Sequence, residues 1–441
     1  MVSANIGIIN NMQEFLQKTI CDANIRNRYV SSPTDFTRNR SLSFSHIVIL
    51  LTNMLKRSLS VELHDYFSHI GSSAVTKSAF SQQRKKLKSV FFQDWNDVLV
   101  SSYYKIAQKQ VKKWRGFIVL SIDGTKLSLP NTPTLRQTYG YSTNQHKRET
   151  ATARASILYD VLNKVILKSH LCSIKEAERT TACDLITSLE KGSLLLLDRG
   201  YPSFMLFYLI HKQGCHFVMR AQANFSQVVD QFRASSLRDT IVNLPATYKA
   251  IKGLEKKQIK ISPQTQIKVR LVKVRLDSGE DEILITNLYE KEIYTISDLK
   301  KLYFMRWPIE TCYGYLKNEL QIECFSGINP ICIEQDFYAN IVVFNLQSII
   351  EKESEGYLQA VNRQRKVEYK INKNISWAML KGRIIDLFIK SDQTGFLLQE
   401  LISLFEKHLE PVKFGRKFPR TKKSIKILGK YITTTNYKRA I

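Results

Sequence analysis

Two aspartates stand where runs of apolar residues end, and carboxylates in that position are able to take part in chemistry. Asp123 follows the apolar run Phe117–Ile122, and Asp198 follows the shorter run Ser193–Leu197. A glycine comes within two residues of each aspartate, so the chain is able to turn there and expose the carboxylate. In open α/β sheets, active sites collect outside the carboxyl ends of such strands. Taken singly, an aspartate at a strand end is also a common turn or helix-cap residue.

A third acidic residue belongs to a group of polar residues with helical spacing. Arg306, Glu310 and Lys317 follow Tyr303 by 3, 7 and 14 residues. At about 100° per residue, the four side chains share one narrow stripe of a helix. Such a stripe is either a row of ion pairs on a solvated face or a functional surface. Bulky apolar residues around it favour burial, and a buried carboxylate needs a cation, which a bound metal is one way to provide.

Pro308 lies inside this group and leaves a second geometry open. Proline lacks a backbone donor and clashes with the preceding turn, so a helix kinks or begins at this residue. If Pro308 is a first-turn residue, Tyr303 and Arg306 belong to a preceding turn. In that case only Glu310 and Lys317 share a helix face.

The acidic positions also lie in motifs with a fixed order along the chain. These motifs are Ile122-Asp123-Gly124-Thr125, then Leu197-Asp198-Arg199-Gly200-Tyr201, then Tyr303-x2-Arg306-x3-Glu310-x6-Lys317. The first two resemble the two catalytic aspartate blocks of the insertion-sequence-four family of DDE transposases, and the third matches the Y-R-E-K signature of that family. The order Asp, Asp, β insert, Glu also matches. The resemblance covers about residues 45–350, with a weaker likeness in Gly415–Arg420.

The resemblance implies an RNase H-like catalytic core that binds metal. Asp123, Asp198 and Glu310 would be the three catalytic carboxylates, holding two Mg²⁺ or Mn²⁺ ions. Hard divalent cations prefer carboxylate oxygen. Two such ions activate an attacking water or 3′-hydroxyl and stabilise the leaving oxygen in an in-line phosphoryl transfer.

The resemblance also implies DNA as the partner. Tyr303, Arg306 and Lys317 would contact DNA phosphates near the cleaved end, with arginine as a forked donor and lysine as a point charge. The expected partners are double-stranded DNA, as terminal inverted repeats and as target, and a second copy of the chain in a homodimer on paired ends. Transposases of this type stack an aromatic residue on a flipped base, but Trp307 is expected to pack in the core.

The composition fits a polyanionic partner. The 441 residues include 66 Lys or Arg and 39 Asp or Glu, giving a formal net charge of +27. This excess points to nucleic acid or to an anionic membrane surface. No apolar run approaches the roughly 18 residues of a membrane span, and no basic amphipathic helix with an exposed aromatic face is apparent. We therefore expect no membrane association and a location in the bacterial cytoplasm at the nucleoid.

Hydrophobic periodicity divides the chain into three predicted segments. Residues 1–115 have apolar positions at helical spacing and are predicted to form a helical DNA-binding region. Thr76 would cap a Gln- and Lys-rich helix there, compatible with DNA contact or with a solvated face. Residues 116–350 are predicted to be the catalytic domain, with a β-rich insert at about 222–295. Residues 351–441 are predicted to be a helical region with a basic tail, for dimerisation or DNA contact.

The predicted fold class is α/β, an RNase H-like mixed sheet flanked by helices, interrupted by the β-rich insert and joined to helical terminal regions. The predicted strands are Phe117–Ile122, Ala153–Tyr159, Lys164–Ser169, Ser193–Leu197 and His216–Arg220, followed by Gln258–Ile261, Ile267–Leu276 and Glu282–Thr286 in the insert. The predicted helices of this part are Lys175–Glu190, Ser203–Gln213 and a long helix from Ser297.

Three functions are compatible with these features. The favoured one is a transposase that catalyses metal-dependent cleavage and strand transfer of DNA at the terminal inverted repeats of its insertion sequence. The second is a catalytically silent DNA-binding relic or a host-adopted regulator, which would bind the repeats without cutting them. The third is a metal-dependent nuclease that cuts without joining, which a strand-transfer assay with pre-cut ends would separate from the first.

Overall fold

Four stretches of the chain are described by the structure, which is a computed structural model: residues 2–54, 56–143, 149–276 and 279–412. The Gly415–Arg420 motif and nearly all of the basic tail lie outside the described residues. No helix in the described stretches is both long and apolar enough to cross a membrane.

The elements follow one another in three groups. The N-terminal group is helical, with α1 (Val2–Cys21), α2 (Ala23–Tyr29), α3 (Phe44–Asn53), α4 (Leu59–His69), α5 (Lys77–Arg84) and α6 (Val90–Ile106). The central group contains β1 (Val119–Ser128), α7 (Pro133–Tyr139), β2 (Tyr141–Thr143), β3 (Glu149–Asp160), β4 (Val165–Ser173), α8 (Glu178–Ile186), β5 (Leu194–Leu197), α9 (Phe204–Lys212), β6 (His216–Arg220), α10 (Gln227–Ala234), β7 (Asp239–Pro245), α11 (Tyr248–Glu255), β8 (Gln266–Arg275), β9 (Asp281–Thr286), α12 (Ile296–Phe304) and α13 (Pro308–Asn318). The C-terminal group contains α14 (Pro330–Glu351), α15 (Glu355–Gln364), β10 (Tyr369–Ile371), α16 (Lys373–Ile389), α17 (Thr394–Lys407) and β11 (Leu409–Pro411).

These elements form two compact units. The first unit combines Met1–Lys109, Ser128–Thr138 and Leu316–Ile441, so both ends of the chain contribute to it. The second unit combines Gln110–Leu127 and Tyr139–Tyr315. All of the predicted site residues except Lys317 belong to the second unit.

A buried ion pair fixes the short helix α5 in the first unit. Arg84 is only 2 % exposed and donates to Asp336 at 3.1 Å and to Gln335 at 2.9 Å, both on α14. At the other end of α5, Thr76 accepts a hydrogen bond from the Ala79 N–H, which confirms the predicted N-cap. Breaking such a buried pair costs about 3–5 kcal/mol, so the orientation of α5 is strongly held.

A nine-stranded mixed sheet is the framework of the second unit. Its strand order is β2–β3–β1–β5–β6–β9–β8–β7, with β4 paired to β3. Strands β1, β5 and β6 run parallel, and β3 and β4 run antiparallel to each other. The Val161 N–H just after β3 donates to the Val119 carbonyl at the start of β1, so β3 and β1 are antiparallel. Three antiparallel strands followed by two parallel ones, with flanking helices, form an RNase H-like core, and the predicted fold class is confirmed.

The parallel strands are buried on both faces, which gives them continuous apolar sequences. All four residues of β5 are leucine and all are buried, as expected for a strand covered on both faces. On one face, α8 and α9 contribute residues to the same apolar core as β5 and β6, and Phe207 of α9 stacks on Phe217 of β6 at 4.9 Å.

The β-rich part after β6 continues the same sheet. Strand β9 pairs antiparallel to β6, and β8 and β7 follow. The predicted strands Ile267–Leu276 and Glu282–Thr286 are confirmed as β8 and β9. The predicted strand Gln258–Ile261 is wrong, because Gln258 has a positive φ and the Ile259 N–H bonds back to the end of α11. Strand β7 was not predicted.

Candidate active site

The first predicted carboxylate, Asp123, lies inside β1 and not past its end. The prediction ended the strand at Ile122, but β1 continues to Ser128 with Leu127 buried. The Asp123 carboxylate accepts a hydrogen bond from the Gly124 N–H at 2.9 Å. Its backbone carbonyl accepts one from the hydroxyl of Tyr313, on α13, at 2.7 Å. This contact ties the first aspartate strand to the helix that carries Glu310.

The surroundings of Asp123 disfavour its charge. The pKa of Asp123 is raised to about 6, and burial is the largest cause. The hydrogen bond from the Gly124 N–H and the charge of Arg306 lower this pKa, whereas the charges of Glu178 and Glu310 raise it. A largely desolvated carboxylate held near two other carboxylates is typical of functional sites.

The second predicted carboxylate, Asp198, is the residue directly after β5, as predicted. The hydroxyl of Tyr303 on α12 donates to its Oδ1 across a long 3.4 Å. Burial, followed by the negative charge of Asp198, raises the pKa of Tyr303 well above its ordinary value. Tyr303 therefore keeps its proton and acts as a donor to Asp198.

The signature helix is two helices. Helix α12 ends at Phe304 and α13 begins at Pro308, so the prediction of one long helix from Ser297 is wrong and the alternative with Pro308 in the first turn is confirmed. Arg306 lies in the short connection, and Glu310 is in the first turn of α13. A proline at the first helical position costs no backbone hydrogen bond, because that N–H has no partner inside a helix.

Arg306 connects the acidic residues. It is 8 % exposed, and its Nη2 donates to Glu310 at 2.8 Å. Burial opposes the charge of Arg306, but the hydrogen bond to Glu310 and the nearby Tyr303 and Asp198 outweigh burial and hold its pKa above the ordinary value. Its Nε is buried and has no hydrogen-bond partner among the described residues.

The structure places the signature residue Lys317 and the adjacent Trp307 in different surroundings. Lys317 lies in the last turn of α13, in the part of the helix that clusters with the first unit. Trp307 is 51 % exposed, so the expectation that it packs in the core is wrong. The Arg306 guanidinium lies 5.5 Å from the centre of the Trp307 ring, a cation–π contact that holds the ring beside the site.

Arg220 and Glu282 complete the Asp198 side of the site and were not predicted. In the parallel pairing of β5 with β6, Leu197 lies opposite Met219, so Arg220 comes level with Asp198. Glu282 on β9 is 10 % exposed and forms an ion pair with the Nε of Arg220 at 2.7 Å. The position of Arg220 at the carboxyl end of a predicted strand was the available signal, because that edge of the sheet also carries Asp198.

Glu178 and Arg154 border the Asp123 side of the site. A Cβ on Gly124 would lie 3.3 Å from Glu178 Cγ, which explains why this position suits glycine. Arg154 on β3 forms an ion pair with Glu178 and is therefore not a free phosphate ligand.

The donor chemistry fits a divalent cation, although the three carboxylates are not gathered around one point. In the described part of the chain, no three acidic, histidine or cysteine side chains are close enough to hold a metal ion together. Asp123 is a partly buried oxygen ligand that accepts one hydrogen bond, and Glu310 is held by Arg306. Asp123 and Asp198, with Glu310 after release from Arg306, have the hard oxygen atoms that Mg²⁺ and Mn²⁺ prefer.

The chain is similar to known proteins over the part that carries the candidate site. Residues 114–346, more than half of the chain, match the family described as Transposase DDE domain. The transposase InsG for insertion sequence element IS4, from Escherichia coli (strain K12), is 24% identical over 53% of this chain and 52% of its own length. InsZ of the same organism is 24% identical over 35% of this chain and 53% of its own length. The protein y4zB of Sinorhizobium fredii is 24% identical over 37% of this chain and 44% of its own length.

The chain spans about half the length of the curated relatives it matches. A cryo-EM structure of the piggyBac transposase synaptic complex with hairpin DNA gives a TM-score of 0.42 at 11% identity, covering 98% of this chain and 90% of that one. The family match includes all three predicted carboxylates and the sheet that positions them. The chain therefore belongs to the DDE transposase family, as its resemblance to the insertion-sequence-four group indicated.

Proposed function

We propose that this chain is the transposase of an insertion sequence and catalyses metal-dependent cleavage and strand transfer of DNA at the terminal inverted repeats. The observation that carries the proposal is the shared electrostatic neighbourhood of Asp123, Asp198 and Glu310, which Arg306 connects inside a DDE transposase domain. Three carboxylates and Arg306, whose Nε still lacks a hydrogen-bond partner within the described stretches, suit phosphoryl transfer. That reaction needs no covalent protein nucleophile.

Asp123, Asp198 and Glu310 are assigned to hold the metal. DDE transposases generally use divalent ions, and we propose two Mg²⁺ or Mn²⁺ ions for this chain. When bound, such ions lower the pKa of the attacking water or 3′-hydroxyl and stabilise the charge on the leaving oxygen. The residues of the chain orient the DNA strand and exclude competing water. The partly buried position of the aspartates supports this role, since burial strengthens their attraction for a cation.

Arg306 is assigned two partners in turn. Without DNA it holds Glu310 through Nη2, while its buried Nε lacks a partner among the described residues. A DNA phosphate would satisfy that donor and weaken the hold on Glu310, which links DNA binding to completion of the carboxylate set. Tyr303, Lys317 and Arg220 are assigned as further phosphate contacts. Arg220 is suited to this because Glu282 fixes its Nε and so orients the rest of the fork.

The helix α5 is assigned to recognition of the inverted repeats. Its exposed residues Ser78 and Gln82, and the exposed C-cap Lys85 with helical backbone, lie within about 60° of one another at 100° per residue. The opposite side of the helix is held by Arg84. A short helix after a turn, with polar residues on its free face, suits insertion into the major groove, where Gln reads adenine and Lys reads guanine.

The remaining partners follow from the reaction. Paired cleavage of two element ends suits a homodimer, with one copy of the chain for each end. Acting on chromosomal DNA places the protein at the nucleoid in the bacterial cytoplasm. The net charge of +27 supports this assignment, because a strongly basic protein is attracted to a polyanion such as DNA.

The proposal is tested with three carboxylate variants. Asp123→Ala, Asp198→Ala and Glu310→Ala are each expected to lower Mg²⁺-dependent cleavage at the element boundary by about a thousandfold or more. Binding of the ends, measured in a gel shift, should stay largely intact. The matched control is Glu190→Ala, which removes an exposed glutamate before β5 and should cleave like the wild type.

The outcomes separate the three functions. Equal loss of end binding in all three variants would mean that the carboxylates are structural. Binding without cleavage by the wild type would favour a DNA-binding relic or regulator. Cleavage by the wild type without joining of pre-cut ends to target DNA would identify a nuclease.

A further inference from the structure

We propose that the exposed face of α11 is a second DNA-binding surface, outside the carboxylate site, that holds the phosphate backbone of double-stranded DNA without reading its sequence. The inference rests on the proposed function, because it takes DNA as the substrate. It concerns a helix in the β-rich part of the second unit that no motif of the transposase signature includes.

The helix α11 is strongly two-sided. Ala250 and Leu254 are buried on one side, and Leu254 belongs to the apolar core of the sheet and its helices. Lys249 and Lys252 are exposed on the other side, and so is Lys256, the C-cap residue, whose backbone is still helical. At 100° per residue these three lysines fall within about 60° of one another, so they form one row. Along the axis, Lys249 and Lys256 are about 10 Å apart at 1.5 Å per residue.

The charge around this row is strongly unbalanced. Residues 246–265 contain five lysines and one glutamate, a balance of 5 − 1 = +4. Lys252 pairs with that glutamate, Glu255, at 3.0 Å, and Lys257 pairs with Asp184 of α8 at 2.6 Å. Lys249 and Lys256 have no acidic partner in the described part of the chain. A single strand of DNA carries one phosphate per about 3.4 Å of helix axis, so a row of this length matches about three phosphates.

An exposed aromatic residue supports nucleic acid as the occupant. Tyr248, the first residue of α11, is 76 % exposed, and the ammonium group of Lys252 lies 5.8 Å from its ring centre. A tyrosine hydroxyl donates to phosphate, and the ring packs against sugar. Folding gains little from a tyrosine that is left so exposed, whereas a DNA strand across the lysine row would cover it.

Helix α11 packs against α9, the helix that follows Asp198 in the chain. A Cβ on Gly253 would lie 2.8 Å from Met205 Sδ, so the backbone of α11 approaches the first turn of α9 closely. Helix α9 begins at Phe204, just after the segment that carries Asp198. The proposal is that DNA bound at Asp198 continues across the lysine row, which would hold the duplex while the end is cut.

The test compares two triple variants of the full chain. Lys249→Gln/Lys252→Gln/Lys256→Gln removes the row, and Lys113→Gln/Lys191→Gln/Lys212→Gln removes three exposed lysines near the amino ends of β1, β5 and β6. Glutamine and lysine have similar helix propensities, so both variants should fold, which circular dichroism would verify. Binding of a fluorescent random-sequence duplex is measured by anisotropy over a series of KCl concentrations.

The expected result is a shift in salt dependence. Loss of three phosphate contacts lowers the slope of log K against log[KCl] by about 2.7, and only the α11 variant should show this change. An unchanged slope in the α11 variant, with normal DNA binding by the wild type, would overturn the inference and leave the proposed function standing. Equal shifts in both variants would also overturn it. Binding of both variants to phosphatidylserine vesicles is measured in parallel, and an α11 variant that loses vesicle binding but keeps DNA binding would overturn it as well. Failure of the wild type to bind DNA would overturn both proposals.

Discussion

At the scale of single residues, the site depends on carboxylates whose charge is only partly compensated. The motif spacing singles out Asp123, Asp198 and Glu310 as candidate catalytic carboxylates, because each of them lies in a short stretch of recognisable sequence. Arg220 and Glu282 were not predictable as a pair, because their contact forms through the pairing of β6 with β9, far apart in sequence. The exposure of Trp307 also depends on tertiary contacts, so its type alone wrongly favoured the core.

The raised pKa of Asp123 predicts a stabilising substitution. Asp123 has a pKa of about 6 in the folded chain, above the ordinary value of 3.8. Both states are protonated below pH ~4, and above pH ~6 the folded chain holds a charge that burial disfavours. Asp123→Asn should therefore raise the free energy of unfolding by about 2–3 kcal/mol above pH ~7, with the gain vanishing below pH ~4. Urea unfolding with a chelator present measures this, and Asp392→Asn, at an exposed position, serves as the control. A gain that is the same at both pH values would contradict the assigned cause.

At the scale of elements, local sequence predicted the buried strands well and the connections poorly. Proline is disfavoured in the interior of a helix, so the sequence also allowed a new helix to begin at Pro308. In the structure α13 begins at this residue. The strand predicted at Gln258–Ile261 failed because alternation over four residues does not distinguish a strand from the end of a helix. Strand β7 escaped prediction because most of its residues are partly or fully exposed, so its pattern is weak.

The anchoring of α5 predicts a selective loss of recognition. Gln82→Ala removes an amide from the free face of the helix and leaves the buried Arg84 contacts unchanged. One good base contact is worth about 1–3 kcal/mol of discrimination. Competition gel shifts should therefore show binding to the inverted repeats weakened about tenfold, with binding to a random duplex unchanged. Gln17→Ala, on the exposed side of α1, is the matched control. An equal loss on both duplexes would mean that Gln82 does not read bases.

At the scale of the whole molecule, the first unit is built from both ends of the chain. Arg84 on α5 pairs with Asp336 on α14, and Asn96 on α6 accepts a hydrogen bond from Asn345 of α14 at 2.7 Å. Sequence periodicity does not reveal such sharing, because it reports which residues are buried and not which segment covers them. Whether the predicted segment 1–115 folds by itself is therefore a question for a separate experiment.

A fragment experiment tests that sharing. Residues 1–109 alone are expected to lack a cooperative unfolding transition, because α14, which is almost wholly buried, would be missing from their core. Addition of a second fragment, residues 316–412, should restore the transition in urea. Thermal and urea unfolding followed by circular dichroism at equal protein concentration make the comparison. A cooperative transition in the first fragment alone would show that the N-terminal helices form an independent domain.

The most direct test of the account is cleavage of a DNA fragment that carries the ends of the element, with and without Mg²⁺, by the wild type and Glu310→Ala side by side. If Glu310 is a catalytic carboxylate, the wild type should cut at the element boundary only when Mg²⁺ is present, Glu310→Ala should not cut, and the control Glu190→Ala should cut normally. Because both proteins should still bind the ends, loss of cutting can be attributed to the third carboxylate. Boundary cuts that persist in Glu310→Ala, or that form equally well in a chelator, would contradict the central claim.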